Sequence, residues 1–159
     1  MKKNMYYVGL SIVIFILFII LFSVNHIAES ENLNTILINE VMYDPEEDDN
    51  YNEWIELYNP SNHSINVSEW ILIDNFSNDT IEGDLDHGNG TTIIPPKGYA
   101  VIADHGTRIY ENYSISNETI KLYVDDLSIG NRWGNKKDKT ILKNRQGTRI
   151  EDNDSANDN

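Results

Sequence analysis

Residues 36–43 read ILINEVMY, residues 53–60 read EWIELYNP and residues 70–74 read WILID. The three runs are short, rich in Val, Ile, Trp and Tyr, and separated by Pro, Asn, Asp and Ser. Short apolar runs bounded by turn residues are typical of neighbouring strands in a β-sandwich. The part of the chain that contains them is therefore predicted to be all-β.

The same pattern continues to residue 150. Strands are predicted at residues 35–42, 54–59, 65–67, 70–73, 92–94, 99–103, 120–124, 139–143 and 148–150. Alternation in the second of these strands places Ile55 and Leu57 on the core face. Trp54, Glu56 and Tyr58 then share the opposite face.

Turn residues divide these strands. Residues 95–98 read PPKG and predict a turn, and Gly147 is expected to close a hairpin between the last two strands. Residues 46–52 form an acidic loop, and residues 75–90 are polar and are predicted to be a long loop. No helical periodicity follows residue 31.

The first thirty residues differ from the rest. Lys2 and Lys3 precede an apolar run over residues 8–24, which predicts one hydrophobic helix. The run is long for a signal peptide and short for a membrane span, so two interpretations stay open. Residues 1–30 are either an uncleaved membrane anchor or a signal peptide that is cut after Ser30. In both cases the lysines stay in the cytoplasm and the following domain faces outward.

Residues 33–150 are long enough for one domain, and residues 151–159 are predicted to be a disordered acidic tail. From residue 26 onward the chain carries 26 acidic and 10 basic side chains, a net charge of −16, and it contains no cysteine. Such a surface repels nucleic acid, so non-specific DNA binding is not expected. Without cysteine, the domain has no disulfide to stabilise it and no thiol available for chemistry.

Eight Asn-x-Ser/Thr sequons follow the apolar run. The acceptor residues are Asn62, Asn66, Asn75, Asn78, Asn89, Asn112, Asn117 and Asn153. The chain has 21 Asn and 19 Ser or Thr, from which random placement gives roughly 2.5 such sequons. The excess predicts an outward-facing, glycosylated domain.

Several of these segments carry a family resemblance. They are INEV at 38–41, EWIELYNP at 53–60, Trp70, PPKGY at 95–99, and WG at 133–134 followed by ILKNRQG at 141–147. In this order they resemble the lamin tail domain, over roughly residues 33–150. The resemblance implies an immunoglobulin-like β-sandwich, a fold usually used for interaction and not for catalysis. Nothing here resembles the coiled-coil rod of a lamin, so a filament role is not implied.

Two Asp-His-Gly triplets are the nearest approach to catalytic or metal-site chemistry. They contain His87 and His105. Carboxylate and imidazole groups at a loop tip suit Zn²⁺ or Mn²⁺, but Asp and Gly are also what turns require. Serine nucleophile elbows, HExxH motifs and phosphate-binding loops are absent from the sequence. The chain is therefore predicted to be neither an enzyme nor a carrier of a cofactor.

The acidic segment after the first strand is a second possible metal site. Asp44, Glu46 and Asp48 offer hard oxygen ligands for Ca²⁺. No glycine pivot or ordered ligand spacing accompanies them, so a solvated loop is the competing interpretation.

Basic residues cluster near the end of the domain. On the predicted hairpin, Lys137, Lys139, Lys143 and Arg145 form a candidate positive patch, because strand residues two apart share a face. The patch is a candidate contact for an anionic partner, such as a surface glycan, an acidic envelope protein or the acidic loop of another copy. The alternative is that these charges keep an exposed edge strand soluble.

Three functional hypotheses follow. The first is a non-enzymatic interaction or adhesion module, held in the membrane by residues 8–24 or secreted after cleavage at Ser30, with self-association possible. The second is an accessory subunit of a separately encoded secreted hydrolase or nuclease, by analogy with family members that accompany such enzymes. The third is a Ca²⁺-dependent structural element of the envelope.

Overall fold

A computed structural model describes residues 35–46, 49–74, 77–125, 129 and 139–154. The predicted N-terminal helix lies outside the described residues, as do Lys137, Trp133 and Gly134. Within the described ranges, no helix has the length and apolar character needed to cross a membrane.

The described part of the chain is mostly β. Its strands are β1 (Leu37–Met42), β2 (Trp54–Tyr58), β3 (Ile65–Asn66), β4 (Ile71–Ile73), β5 (Asn78–Gly83), β6 (Ile93–Ile94), β7 (Tyr99–Ala103), β8 (Ile120–Val124), β9 (Lys139–Lys143) and β10 (Arg149–Asp154). Two single-turn helices, α1 (Asp49–Asn52) and α2 (Ile109–Asn112), lie between strands. The prediction is therefore confirmed in that these residues are mostly β, but the two helical turns were not predicted, because a single turn is too short to show helical periodicity.

Eight strands form one mixed sheet in the order β1-β2-β7-β8-β5-β4-β9-β10, and β3 pairs with β6 separately. β7 and β8 run parallel, while the other neighbours in the eight-stranded sheet are antiparallel. The edge strands β1 and β10 approach each other, so the sheet curls into a nearly closed barrel.

The sheet is continuous because β5 belongs to both of its halves. Its first residues, from Asn78 to Thr80, pair with β4, and its last residues, from Ile81 to Gly83, pair with β8. The sequence predicted a sandwich of two separate layers, whereas the strands form one continuous curled sheet. It also predicted a loop over residues 75–90, which is wrong for the residues of β5. The inward positions of this strand are Asp79 and Ile81, both buried, and a buried carboxylate conceals the apolar alternation by which strands are recognised.

The main core fills the inside of the curled sheet. Ile55 and Leu57 are fully buried in it, which confirms the predicted orientation of β2. Leu72 and Leu142 contribute from the other half of the sheet, and Leu122 from β8. Full burial of a Leu or Ile side chain stabilises a fold by about 1.5–3 kcal/mol, so this interior is the main source of stability.

Asn59, which follows β2 directly, ties three segments together. Its side-chain nitrogen Nδ2 lies 2.9 Å from the carbonyl oxygen of His63, 3.0 Å from that of Ile94 and 2.9 Å from that of Pro95. Its Oδ1 accepts the backbone N–H of Ser61 at 3.0 Å. Asn59 is fully buried, and this single amide therefore fixes the turn after β2 against the end of β6.

Two predicted turns are confirmed. Gly98 donates its N–H to the carbonyl of Pro95 at 3.0 Å and so closes the turn before β7. Gly147 closes the β9–β10 hairpin with a φ of +79°, a conformation that glycine adopts without the cost a Cβ would impose. β10 then runs to Asp154, so the first four residues of the predicted tail belong to a strand, and residues 155–159 lie outside the described residues.

Residues 104–119 cross the outer face of β7 and create a second, smaller core. Val101, Ala103 and Ile109 are buried there, with Trp54 and Tyr113 packed against them. β7 is covered on both faces as a result, and only its first residue, Tyr99, is exposed.

Candidate ligand-binding groove

A β-bulge in β1 places a polar side chain on the outer face of the sheet. The register between β1 and β2 shifts between Ile38 and Glu40, so Asn39 is the extra residue. Bulges re-aim a side chain, and here Asn39 Nδ2 donates to Glu56 Oε1 at 2.6 Å. Glu56 alternates with the buried Ile55 and so lies on the outer face of the sheet. The bulge thus places an amide beside a carboxylate on that face.

Aromatic rings extend this outer face along β2 and β7. Tyr58 lies directly opposite Tyr99 in the register, and their ring centroids are 4.8 Å apart. Glu56 lies opposite Val101 in the same way. Tyr99 keeps 41% of its surface exposed, so one large aromatic side chain remains available to a ligand.

The strap over residues 113–119 supplies the second wall. The Tyr113 ring meets Trp54 nearly edge-on, with centroids 6.2 Å apart and an interplanar angle of 70°. Between this strap and the sheet lies a groove of about 460 Å³, which we call the aromatic groove. It is lined by Asn39, Trp54, Glu56, Tyr99, Val101, Tyr113, Ser114, Ile115, Ser116 and Thr119.

The lining of the aromatic groove combines apolar rings with neutral polar groups. Ser114, Ser116 and Thr119 offer hydroxyls at its rim. Of the described residues that line it, Glu56 is the one with a charged side chain, and none is basic. A Glu carboxylate accepts hydrogen bonds, whereas an Asn amide both donates and accepts them. The groove therefore suits a ligand that carries hydroxyl donors and an apolar face, without negative charge.

The groove residues were missed by the site predictions, although one signal pointed to them. Alternation had already placed Trp54 and Tyr58 on the outer face of β2, and large aromatic side chains on the solvent side of a strand often mark a contact surface. The contribution of Tyr113, which comes from a distant segment, has no such signal.

Both Asp-His-Gly triplets lie in turns closed by an aspartate, which is Asp84, two residues before the first triplet, and Asp104 in the second. Asp84 Oδ1 accepts the backbone N–H groups of Asp86 at 2.8 Å and His87 at 2.9 Å. Asp104 Oδ1 accepts the N–H of Gly106 at 2.7 Å. Within the ranges the structure describes, no three His, Asp or Glu side chains gather as a metal site would require. The geometry favours the turn interpretation.

Beside the first triplet, Tyr110 is held between two side chains. The His87 ring centroid lies 4.7 Å from that of Tyr110, and Lys121 Nζ lies 4.5 Å from it. His87 Nδ1 is also 3.0 Å from Asp84 Oδ2. Burial, followed by the negative charge of Asp84, raises the pKa of Tyr110 above its ordinary value. Its hydroxyl is buried and has no hydrogen-bond partner among the described residues.

The structure describes three members of the predicted basic patch. Lys139 and Lys143 lie on the same face of β9. Lys139 Nζ lies 3.0 Å from Asp152 Oδ2, and Arg145 Nε lies 3.0 Å from Glu69 Oε2. Two of these three cations are thus already paired with carboxylates, and binding of an anionic partner stays a prediction.

Arg149 also pairs with Asp152. The hydrogen bonds from Arg149 and then from Lys139 hold the pKa of the Asp152 carboxyl below its ordinary value. The carboxylate therefore stays ionised, and neutralises its neighbours, at a lower pH than an isolated aspartate would.

The remaining predicted sites are placed as follows. Of the Ca²⁺ candidates, Asp44 and Glu46 are exposed, while Asp48 lies outside the described residues. The described sequon acceptors are all exposed: Asn62, Asn66, Asn78, Asn89, Asn112 and Asn117. Asn75 and the side chain of Asn153 are not among the described groups. Calcium binding and glycosylation stay predictions.

The described residues form a curled, mostly β module with a groove on its outer face, and its Asp-His-Gly segments lie in turns. The chain matches the Lamin Tail Domain family over residues 29–154, which is most of its length. It belongs to that family, a class of immunoglobulin-like β modules that are not catalytic. Comparison with curated proteins finds no match to this chain.

Proposed function

We propose that this chain is a non-enzymatic interaction module, displayed on the outer face of a cell membrane or released after cleavage at Ser30, that holds its partner in the aromatic groove. The observation that carries this proposal is the groove itself. Exposed Tyr99 and the paired polar groups of Asn39 and Glu56 meet in one concave site. Concave sites with aromatic walls and a few convergent polar groups are where proteins bind ligands.

The groove is preorganised for binding. Its floor is built on β1, β2 and β7, which are joined by backbone pairing that is interrupted at the bulge of Asn39. The bulge at Asn39 and the hydrogen bond to Glu56 fix the polar groups before any ligand arrives. Preorganised side chains lose little conformational freedom on association, so more of the contact energy is retained as affinity.

The binding experiment uses the full chain reconstituted in lipid nanodiscs and an envelope preparation from the native cells. Tyr99→Ala is expected to weaken retention on the envelope at least about tenfold, as loss of an exposed aromatic anchor does in other interfaces. Ile93→Ala is the matched control, because Ile93 is an exposed apolar residue of β6 outside the groove. Retention of Tyr99→Ala at the wild-type level would remove the groove from the proposal.

The orientation of the domain relative to the membrane is tested separately. Because the sequence has no cysteine, an introduced cysteine is the only thiol that a reagent can label. Leu85→Cys introduces one thiol at a residue that is 74% exposed, and a membrane-impermeant maleimide is added to intact cells or to their medium. Labelling of Leu85→Cys, with no labelling of Lys3→Cys until the cells are opened, is the expected result. Labelling of Lys3→Cys alone in intact cells would place the domain inside and overturn the outward orientation.

A further inference from the structure

We infer that the ligand of the aromatic groove is a neutral saccharide. This inference rests on the proposed function and names the chemical class of the partner at the same site. It follows from three properties of the lining: its aromatic faces, its hydrogen-bonding groups and its charge.

The aromatic faces match the apolar side of a sugar ring. One side of a pyranose presents several C–H groups, and the face of an aromatic ring is negative, so the two surfaces attract each other as well as excluding water. Tyr99 is supported from behind by Tyr58 at 4.8 Å and remains 41% exposed. That support holds the Tyr99 ring in place as a platform.

The polar groups match the rim of hydroxyls around a sugar ring. One oxygen of the Glu56 carboxylate accepts a hydrogen bond from the Asn39 amide. Within the described part of the chain, the carboxylate accepts no other hydrogen bond. The second carboxylate oxygen is an acceptor for ligand hydroxyls, and Asn39 Oδ1 is another. Hydroxyl groups that donate to a carboxylate form charge-assisted hydrogen bonds, which are about twice as strong as neutral ones.

The charge of the site argues against an anionic ligand. Among the described lining residues Glu56 is the only charged one, and residues 26–159 carry a net charge of −16. A phosphate, sulfate or uronate would be repelled at long range and would meet no basic group among the described lining residues. A wholly apolar ligand is also disfavoured, since covering Glu56 and Asn39 without partners costs about 1–3 kcal/mol for each unsatisfied group.

A quaternary ammonium ion is the competing ligand, because aromatic rings and a carboxylate also attract cations. Such an ion needs several ring faces directed at one point. Here Trp54 and Tyr113 meet edge-on at 6.2 Å, and Tyr58 packs against Tyr99, so the rings contact one another in pairs. The described rings therefore line one side of the groove, where Tyr99 is exposed, and do not surround a cation from several sides.

The size of the groove fits a short saccharide. Its volume of about 460 Å³ falls within the roughly 300–1,000 Å³ found for small-ligand sites. The saccharide has two possible sources: a polysaccharide of the envelope, or a glycan carried on a sequon of a second copy.

The test is direct binding of neutral oligosaccharides of glucose, mannose, galactose and N-acetylglucosamine to the full chain. The protein is held in lipid nanodiscs, because sugar-based detergents would compete. At least one neutral probe is expected to bind, and Tyr99→Ala and Glu56→Gln are each expected to weaken that binding about tenfold or more. Ile93→Ala should bind within about twofold of the wild type. Melting temperatures confirm that each variant is folded.

The outcomes separate this inference from the function on which it rests. If no neutral saccharide binds while Tyr99→Ala still loses retention on the envelope, the interaction module stands and the saccharide is wrong. If choline or betaine binds in place of the sugars, the groove takes a cation and the inference is again wrong. If saccharide binding is unchanged in both groove variants, the sugar site is elsewhere, which also overturns the inference.

Treatment with an N-glycosidase distinguishes the two sources. Enzymatic removal of the glycans from the chain abolishes self-association if the ligand is carried by a second copy. It leaves retention on the envelope intact if the ligand is an envelope polysaccharide.

Discussion

The side-chain amide of Asn59 donates to the carbonyl of Ile94, 3.0 Å away and 35 residues further along the chain. The bond is buried, and the same amide lies 2.9 Å from the carbonyl of Pro95. Asn59 thereby joins the end of β2 to the turn that presents Tyr99, the open ring of the aromatic groove. Asn59 is not among the residues that line the groove, yet it fixes the turn that carries Tyr99, the proposed ligand platform.

Asn59→Ala is expected to destabilise the domain by about 2–4 kcal/mol, because several buried carbonyl and N–H groups lose their partner at once. The measurement is the midpoint of urea unfolding. Ser64→Ala, at an exposed position of the same loop, should change stability by less than about 0.5 kcal/mol. Equal midpoints for the two variants would contradict the role assigned to Asn59.

Tyr110→Phe is expected to leave stability at neutral pH unchanged or to increase it by up to about 1 kcal/mol. The substitution removes a buried hydroxyl that has no partner among the described residues, and it keeps the ring beside His87 and Lys121. Tyr110→Ala removes the ring as well and is expected to cost about 2 kcal/mol or more. A clear loss in Tyr110→Phe would reveal a hydrogen bond to the hydroxyl and disprove this account.

Tyr110 also predicts how stability changes at alkaline pH. Its pKa in the folded protein is raised above the ordinary value of 10.0, by burial first and then by Asp84. Because this pKa is raised, the protonated phenol makes its full contribution to the free energy of unfolding below pH 10.0. That contribution is lost as the pH rises through the pKa of the folded protein. Between pH 10 and pH 12 the wild type should therefore lose stability faster than Tyr110→Phe, as measured by urea unfolding at each pH. Parallel pH profiles would rule this out.

Asp152→Asn is expected to increase retention of the chain on a sulfated polysaccharide column. The substitution frees Lys139 and Arg149 from their shared carboxylate partner. In the wild type, Asp152 has a lowered pKa, so the ion pairs persist as pH falls through the ordinary carboxyl range and are lost only below it. Retention of the wild type should rise in that more acidic range. Glu118→Gln makes the same charge change at an exposed site, and an equal gain there would show that net charge alone is responsible.

Glycan occupancy is expected to be higher at Asn89 than at Asn112. Asn89 uses its Oδ1 to accept the N–H of Thr91 at 3.1 Å, and its amide nitrogen makes no hydrogen bond within the described residues. Asn112 Nδ2 instead donates to Asn52 Oδ1 at 2.7 Å, and that nitrogen is the atom to which a glycan attaches. Glycopeptide mass spectrometry of protein from native cells gives the two occupancies. A higher occupancy at Asn112 would show that glycosylation precedes folding of this segment.

The sequence predicted the parts of the fold that depend on local pattern. Ile55 and Leu57 alternate with polar or aromatic neighbours, and Gly147 follows a turn of Asn, Arg and Gln, so β2 and the last hairpin were recognisable. β5 was not, because Asp79 occupies an inward position that normally carries an apolar side chain.

The aromatic groove depends on relationships that no local window contains. Asn39 reaches Glu56 only because the register of β1 shifts, and Tyr113 reaches Trp54 only because the strap folds back over β7. Register shifts and the packing of distant segments are set by the whole tertiary structure. Lys139 and Arg145 likewise looked unopposed in sequence because their partners, Asp152 and Glu69, lie elsewhere along the chain.

The position of β5 between the two halves of the sheet has a consequence for the biogenesis of the protein. Neither half can close until Asn78–Gly83 has found β8, and β4 must also wait for β9, which begins at Lys139. Pairings between such distant segments form late, because the entropy of a long loop is lost before the contacts repay it. We therefore expect no stable folded fragment to form before β9 has been synthesised. Such late folding would keep most of the chain unfolded during synthesis, which is the state that the proposed export across a membrane requires.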